Sequence, residues 1–339
     1  GRLTNPEIET TFERDPHQQQ GYEIGITQRI PLTQRLRLEK AVARADWQAC
    51  EAEIRELERR SIAQAHEQVI KILALRERRL LLRERIRHAT EFADFLAQSV
   101  ALGEASPLDA GQARLEARSL ESDARQLDAS EAVATGLLKP LLGMTPTQRL
   151  LVSGSLAEPQ LTSVRSSAMN RPDYQAARHE TDSATRELEL ERAKKYEDIE
   201  AGIFAGQDRS DESVVALRFK IPLPIWNDNR GAIDSAQAKL ERKTREADAL
   251  ERAIELEVEA ARAEMLSWAE LVTEIRDHML PLAEEQATLA EATFRKGQGE
   301  ILSVFRCREK FGQLANSRLD ALEQFHLAQV RLHSATNKY

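Results

Sequence analysis

The sequence predicts a mainly α-helical chain with a small β part, in which a β-hairpin followed by long coiled-coil helices occurs twice. Three observations predict it. Charged residues make up 31% and aromatics 5% of the 339 residues, with only 14 Gly and 11 Pro, which suits long helices joined by few turns. Two stretches alternate apolar and polar residues with period two, and each runs on into a long segment of helical periodicity. The strand endings Ile30-Pro31-Leu32 and Ile221-Pro222-Leu223 stand 191 residues apart, an offset shared by Ile8 and Ile199, as a tandem duplication requires.

The first repeat spans 1–162. Its hairpin, 6–31, sets Ile8, Thr10 and Phe12 against Glu7, Glu9, Thr11 and Glu13. Beyond a polar loop it sets Tyr22, Ile24, Ile26, Gln28 and Ile30 against Glu23, Gly25, Thr27 and Arg29. Residues 34–102 contain neither glycine nor proline. One helix of this length would reach roughly 100 Å and needs neighbours along its length. A tip follows at 103–107, where Ser106 is placed to cap and Pro107 to open the return helix 108–142. An equatorial loop, 143–162, closes the repeat.

The second repeat, 163–339, begins with a helix at 171–195. A hairpin at 196–223, a long helix at 229–296, a tip at 297–300 and a return helix at 301–339 follow. Leu250, Ile254, Val258, Ala261, Met265, Trp268, Val272, Ile275, Met279 and Leu282 succeed one another at steps of four or three, a heptad seam. Pro281 inside that seam should kink the helix, because it cannot donate to the preceding turn.

Composition excludes several functions. No run approaches the ~18 apolar residues of a membrane-crossing helix. A net charge of −8 counts against nucleic acid as a partner. Two cysteines, Cys50 and Cys307, cannot build a disulfide framework. The seven histidines form no HExxH motif and none pairs with Cys at zinc spacing; His326 and His333, seven apart on one helix face, suit packing or solvent better than a metal. No phosphate-cradling glycine loop and no catalytic constellation is present, so neither a cofactor nor enzyme activity is expected.

The strands carry the functional inference. Two isolated hairpins leave unpaired edges in water, and four strands cannot close a barrel, for which about eight is the usual minimum. Strands of about ten residues have the length to cross a bilayer at a tilt. Three copies pooling four strands each would close a shared 12-stranded transmembrane β-barrel, with the helices bundled on one side as a trimeric α-barrel. The alternative is a soluble coiled-coil structural or interaction protein without a pore. Tyr22, Tyr196 and Trp226 lie near strand ends, where aromatic belts mark a membrane interface or where such rings simply pack.

Several segments resemble the outer-membrane efflux channel family typified by TolC. They include Asn5-Pro6-Glu7-Ile8-Glu9, Ile30-Pro31-Leu32 and Leu141-Leu142-Gly143. Asn170-Arg171-Pro172-Asp173, Ile221-Pro222-Leu223-Pro224-Ile225-Trp226-Asn227 and Leu280-Pro281-Leu282-Ala283-Glu284-Glu285 are similar to its heavy-metal, CzcC-like branch. The resemblance covers essentially the whole chain. It implies a homotrimer in the outer membrane of a Gram-negative bacterium, with its helical part in the periplasm. The trimer would be a passive exit duct for substrates, heavy-metal cations among them, docked on a periplasmic adaptor (a membrane fusion protein) and through it on an inner-membrane RND-type pump.

The resemblance assigns the tips as well. Leu102, Gly103, Glu104, Ser106 and Asp109 of the first tip, with Lys296 and Gly297 of the second, would meet the adaptor. Glu300, Ser303 and Arg306 would line the constriction, although the family carries acids where Ser303 and Arg306 stand here. The second hairpin is preceded by a helix that the first lacks, and Gly1-Arg2-Leu3-Thr4 has no signal-peptide character, so the sequence reads as a processed or truncated chain.

Overall fold

A computed structural model describes residues 2–14, 20–160, 168–207, 212–223 and 228–338. The loop between the first two strands, the turn near residue 210 and Trp226 therefore lie outside the described residues. Strands β1 (Glu7–Arg14) and β2 (Gln20–Ile30) lead into α1 (Arg35–Ala101), a single helix of 67 residues, and then α2 (Pro107–Leu141). Helix α3 (Pro172–Ala193) precedes β3 (Ile199–Gln207) and β4 (Ser213–Lys220). Helix α4 (Arg230–Glu274) continues through a π-helical turn, Ile275–Met279, into α5 (Leu280–Arg295), and α6 (Ile301–Ala335) follows.

The chain divides into two compact units, each drawing on both halves of the sequence: Gly1–Glu56 with Met169–Ala253, and Leu57–Ala168 with Ile254–Tyr339. The first unit holds the sheet. Its strands lie in the order β1-β2-β3-β4, all antiparallel, so the two hairpins join along β2 and β3. Asp198 anchors the entry to β3 through a 2.8 Å ion pair with Arg35 at the start of α1. Arg171 is buried and pairs with Asp173 at 2.6 Å, and the Tyr174 hydroxyl lies 3.2 Å from Glu251 on α4, which fixes the start of α3.

The second unit is held by helix seams. Val258, Ala261, Met265, Ala269, Phe325, Ala328 and Leu332 form one core between α4 and α6. The expected seam of α4 is buried from Ile254 to Ile275, with Trp268 half-buried against it, but Met279 and Leu282 are exposed, and Ala283 and Ala287 take their place. The cause lies at Pro281. The π turn ahead of it closes with Leu280 N–H donating to the Ile275 carbonyl, one residue further back than in an α-helix. The extra residue carries the buried stripe onto the next face. Pro281 is thus accommodated by a bulge as the second residue of α5.

Candidate functional sites: the sheet face and the helical tips

In the sheet, pairing places Ile8, Ile26, Ile203 and Leu217 opposite one another in a row across all four strands. They are 75%, 57%, 61% and 66% exposed. Ile24, Val215, Phe12 and Phe219 continue the same face and are exposed too. A water-soluble sheet hides such side chains against a core; here nothing among the described residues covers them.

The opposite face is polar. Cross-strand ion pairs join Arg29 to Glu7 at 3.7 Å, Arg218 to Glu23, and Lys220 to Glu200 at 3.5 Å. Phe204 is the exception on this face. Its ring is only 2% exposed, lying over Gly25 and Gly202, where an added Cβ would come within 2.8 Å of it, and under the Arg218 guanidinium at 4.3 Å. The alternation Ile199, Ala201, Ile203, Ala205 marks the other face, and only the register places Phe204 across from Gly25. Of the aromatics expected at an interface, Tyr22 lies on the apolar face opposite Phe12 and is exposed, and Tyr196, just ahead of β3, is also exposed.

Both tips belong to the second unit, and both close in the same way. Gly103 has φ +76; its N–H donates to the Val100 carbonyl at 3.0 Å and that of Glu104 to Ser99 at 2.8 Å. Gly297 has φ +71; its N–H donates to Phe294 at 2.8 Å and that of Gln298 to Thr293 at 3.1 Å. This is the Schellman closure, which needs a left-handed residue where glycine carries no Cβ penalty. Ser106 opens α2 by accepting from the Leu108 N–H at 3.2 Å, with Asp109 in the first turn, where the helix dipole favours an acid. Leu102 and Leu108 are left exposed at the first tip. Glu104, Ser106, Lys296, Glu300, Ser303 and Arg306 are also exposed, and Asp109 is half-buried.

Behind the tips sits a cluster that sequence reasoning did not single out. Phe92 meets Phe294 and Phe305 edge-on at 5.9 and 6.0 Å and stacks on Phe95 at 6.3 Å, over a floor of Leu96, Ala110, Ala113 and Val304. It ties both tips into one body. Arg295 adds a cation–π contact to Phe95 at 4.9 Å and an ion pair to Glu291 at 2.8 Å, which Arg308 also engages. The signal was present: four of the nine phenylalanines lie within about a dozen residues of Gly103 or Gly297.

Elsewhere, His326 Nε2 lies 2.9 Å from the Ala157 carbonyl, and burial lowers the pKa of His333, so these two histidines have separate surroundings. Among the described residues no group of three His, Cys, Asp or Glu is placed to hold a metal ion, and no helix is long and apolar enough to cross a membrane. Cys50 and Cys307 are free thiols.

Solved structures share this arrangement. A membrane protein from Pseudomonas aeruginosa superposes over 99% of this chain and 84% of its own, with TM-score 0.83 at 17% identity. CusC, whose crystal structures follow folding and transmembrane channel formation, does so over 99% and 82%, with TM-score 0.82 at 18% identity. The fold is therefore the one these structures share, mainly helical with a small antiparallel sheet. The chain belongs to the outer membrane efflux protein family, which matches residues 164–338. It is a family of efflux proteins, not of enzymes. Among curated relatives, the cobalt-zinc-cadmium resistance protein CzcC of Cupriavidus metallidurans is 25% identical over 265 residues, 75% of this chain. The chain spans 63% of that relative's length.

Proposed function

We propose that this chain is one protomer of a homotrimeric outer-membrane duct, the passive exit of a three-part efflux system. One observation carries the reading: the sheet gathers its large exposed apolar side chains on one face and its cross-strand ion pairs on the other. Hydrocarbon is the medium that accepts such a face. Among the described residues, strands β1 and β4 end the sheet with unpaired edges. Adding the same four strands from two further copies closes these edges in a 12-stranded barrel. Tyr22 and Tyr196 then lie at the membrane interface.

The helices extend into the periplasm in this reading. Leu102, Gly103, Glu104, Ser106 and Asp109, with Lys296 and Gly297, form the surface that receives the periplasmic adaptor, behind which stands an inner-membrane RND-type pump. Leu102 and Leu108 supply apolar anchors for a helical partner. Glu300, Ser303 and Arg306 line the constriction from the first two turns of α6 and the residue before it. The likeness to CzcC supports heavy-metal cations as the cargo. The two repeats, 1–162 and 163–339, descend from one duplicated hairpin-and-helix unit.

The chain purified in detergent and added to planar bilayers tests this. We expect a trimeric mass and ohmic conductance, with ion preference shifted by Glu300→Gln and by Arg306→Glu. A monomer that stays dispersed without detergent and never conducts would overturn the duct and favour the soluble interaction protein.

A further inference from the structure

We infer that the exposed face of α2 docks on the exposed face of α4 and α5 of a second copy of this chain. The contact rests on the homotrimer proposed above and supplies its helical interface. On α2, Ala110, Ala113 and Ala117 are buried, yet Leu115 and Val133 are 71% and 63% exposed. Eighteen residues, five whole helical turns, separate Leu115 from Val133, so both point the same way. On the other face Leu271 and Leu289 are also eighteen residues apart, and they are 39% and 66% exposed.

The two faces match in depth. Ala110 and Phe294 belong to one packed cluster, so α2 starts at the level where α5 ends. Counted from Pro107, Leu115 and Val133 stand about 12 and 39 Å along α2. Counted back from Arg295, Leu289 and Leu271 stand about 9 and 36 Å along α5 and α4. The charges follow the same order. Arg118 and Arg125 come at about 17 and 27 Å on α2, and Glu285 and Glu274 at about 15 and 31 Å on the other face. All four are exposed, and among the described residues Arg118, Arg125 and Glu285 have no ion-pair partner.

Rotation about an axis parallel to the helices keeps every residue at its depth. A ring of copies therefore sets Leu115 against Leu289 and Val133 against Leu271, on antiparallel helices, with Arg118 facing Glu285 and Arg125 facing Glu274. Apolar residues meet apolar ones, and bases meet acids. The two faces differ, so the contact is head-to-tail, the type that closes into a ring. The sheet's two different edges, β1 and β4, call for the same head-to-tail pairing.

Cysteine pairs test the register in a chain carrying Cys50→Ser and Cys307→Ser. Leu115→Cys with Leu289→Cys, purified in detergent and oxidised with copper phenanthroline, should run on denaturing gels as covalent dimer and trimer. Leu115→Cys with Leu271→Cys, about 24 Å apart in depth, should give neither. Arg118→Glu should weaken trimer association about tenfold in sedimentation equilibrium, and adding Glu285→Arg should restore it. A conducting trimer that fails to link Leu115→Cys to Leu289→Cys, or that is indifferent to Arg118→Glu, overturns this interface and leaves the duct standing. A dispersed monomer overturns both.

Discussion

Phe204 occupies the space that a side chain at Gly25 would need: the two residues face each other across β2 and β3, and the ring Cδ1 stands 2.1 Å from where a Cβ would be. A bare glycine on one strand lets an aromatic from its neighbour lie flat on the sheet, beneath Arg218. Gly25→Ala should therefore destabilise the chain by about 1–3 kcal/mol through overpacking. Adding Phe204→Ala should recover part of the loss. Urea midpoints in detergent decide it; a single variant that unfolds where the parent does would remove the steric argument.

The outward face makes a second prediction. Ile203, in the middle of the apolar row, changed to Arg should cost about 2–4 kcal/mol of insertion free energy if that row meets the bilayer near its midplane. Glu200→Gln, on the polar face, should stay within about 0.5 kcal/mol. Folding equilibria into lipid vesicles measure both. Similar costs at the two positions would mean that the faces have been assigned wrongly.

Two glycines near the first tip should respond with opposite signs. Gly103 has φ +76, so Gly103→Ala forces a left-handed alanine and should cost about 1–2 kcal/mol. Gly111 lies inside α2 with open space where its Cβ would stand. Gly111→Ala should stabilise by about 0.4–1 kcal/mol. Thermal melts of the two variants, side by side, check the contrast.

Glu291 predicts an acid sensitivity. Burial raises its pKa, but hydrogen bonds from Arg308 and Arg295 outweigh that, and the net shift is downward. A carboxylate held below its ordinary value contributes stability that is present above that value and is lost as pH falls through the folded-state pKa. Melting temperature should drop on acidification below about pH 4.5, the usual carboxylate range, and Glu291→Gln should flatten part of that drop. A variant with the parent's acid profile would show that this ion pair carries none of it.

Much of this molecule was legible one residue at a time. The strands were, because alternation has a period of two and a one-residue slip would turn every isoleucine to the other face. The tip glycines were, because reversing a helix without a Cβ clash leaves few alternatives to glycine. Helix α1 was not. Along it Ala45, Ala49, Ala52 and Ala63 are buried with Glu56 and Arg59, while Trp47, Ile54 and Leu57 are exposed. A pattern reading takes the largest apolar residues for the core; close approach of helices selects the smallest, and Arg59 is admitted because it donates to Ser334.

Local chemistry alone determined which segments are strands, which are helices and where the chain reverses, because backbone dihedrals and period-two or heptad spacing act over a few neighbouring residues. Only the tertiary structure decided which faces meet. It joined β2 to β3, moved the buried stripe from Met279 to Ala283 across the π turn, and gathered Phe92, Phe294 and Phe305 behind the two tips. These pairings unite residues up to about two hundred positions apart, and the register and packing that select them leave no periodic trace in the chain.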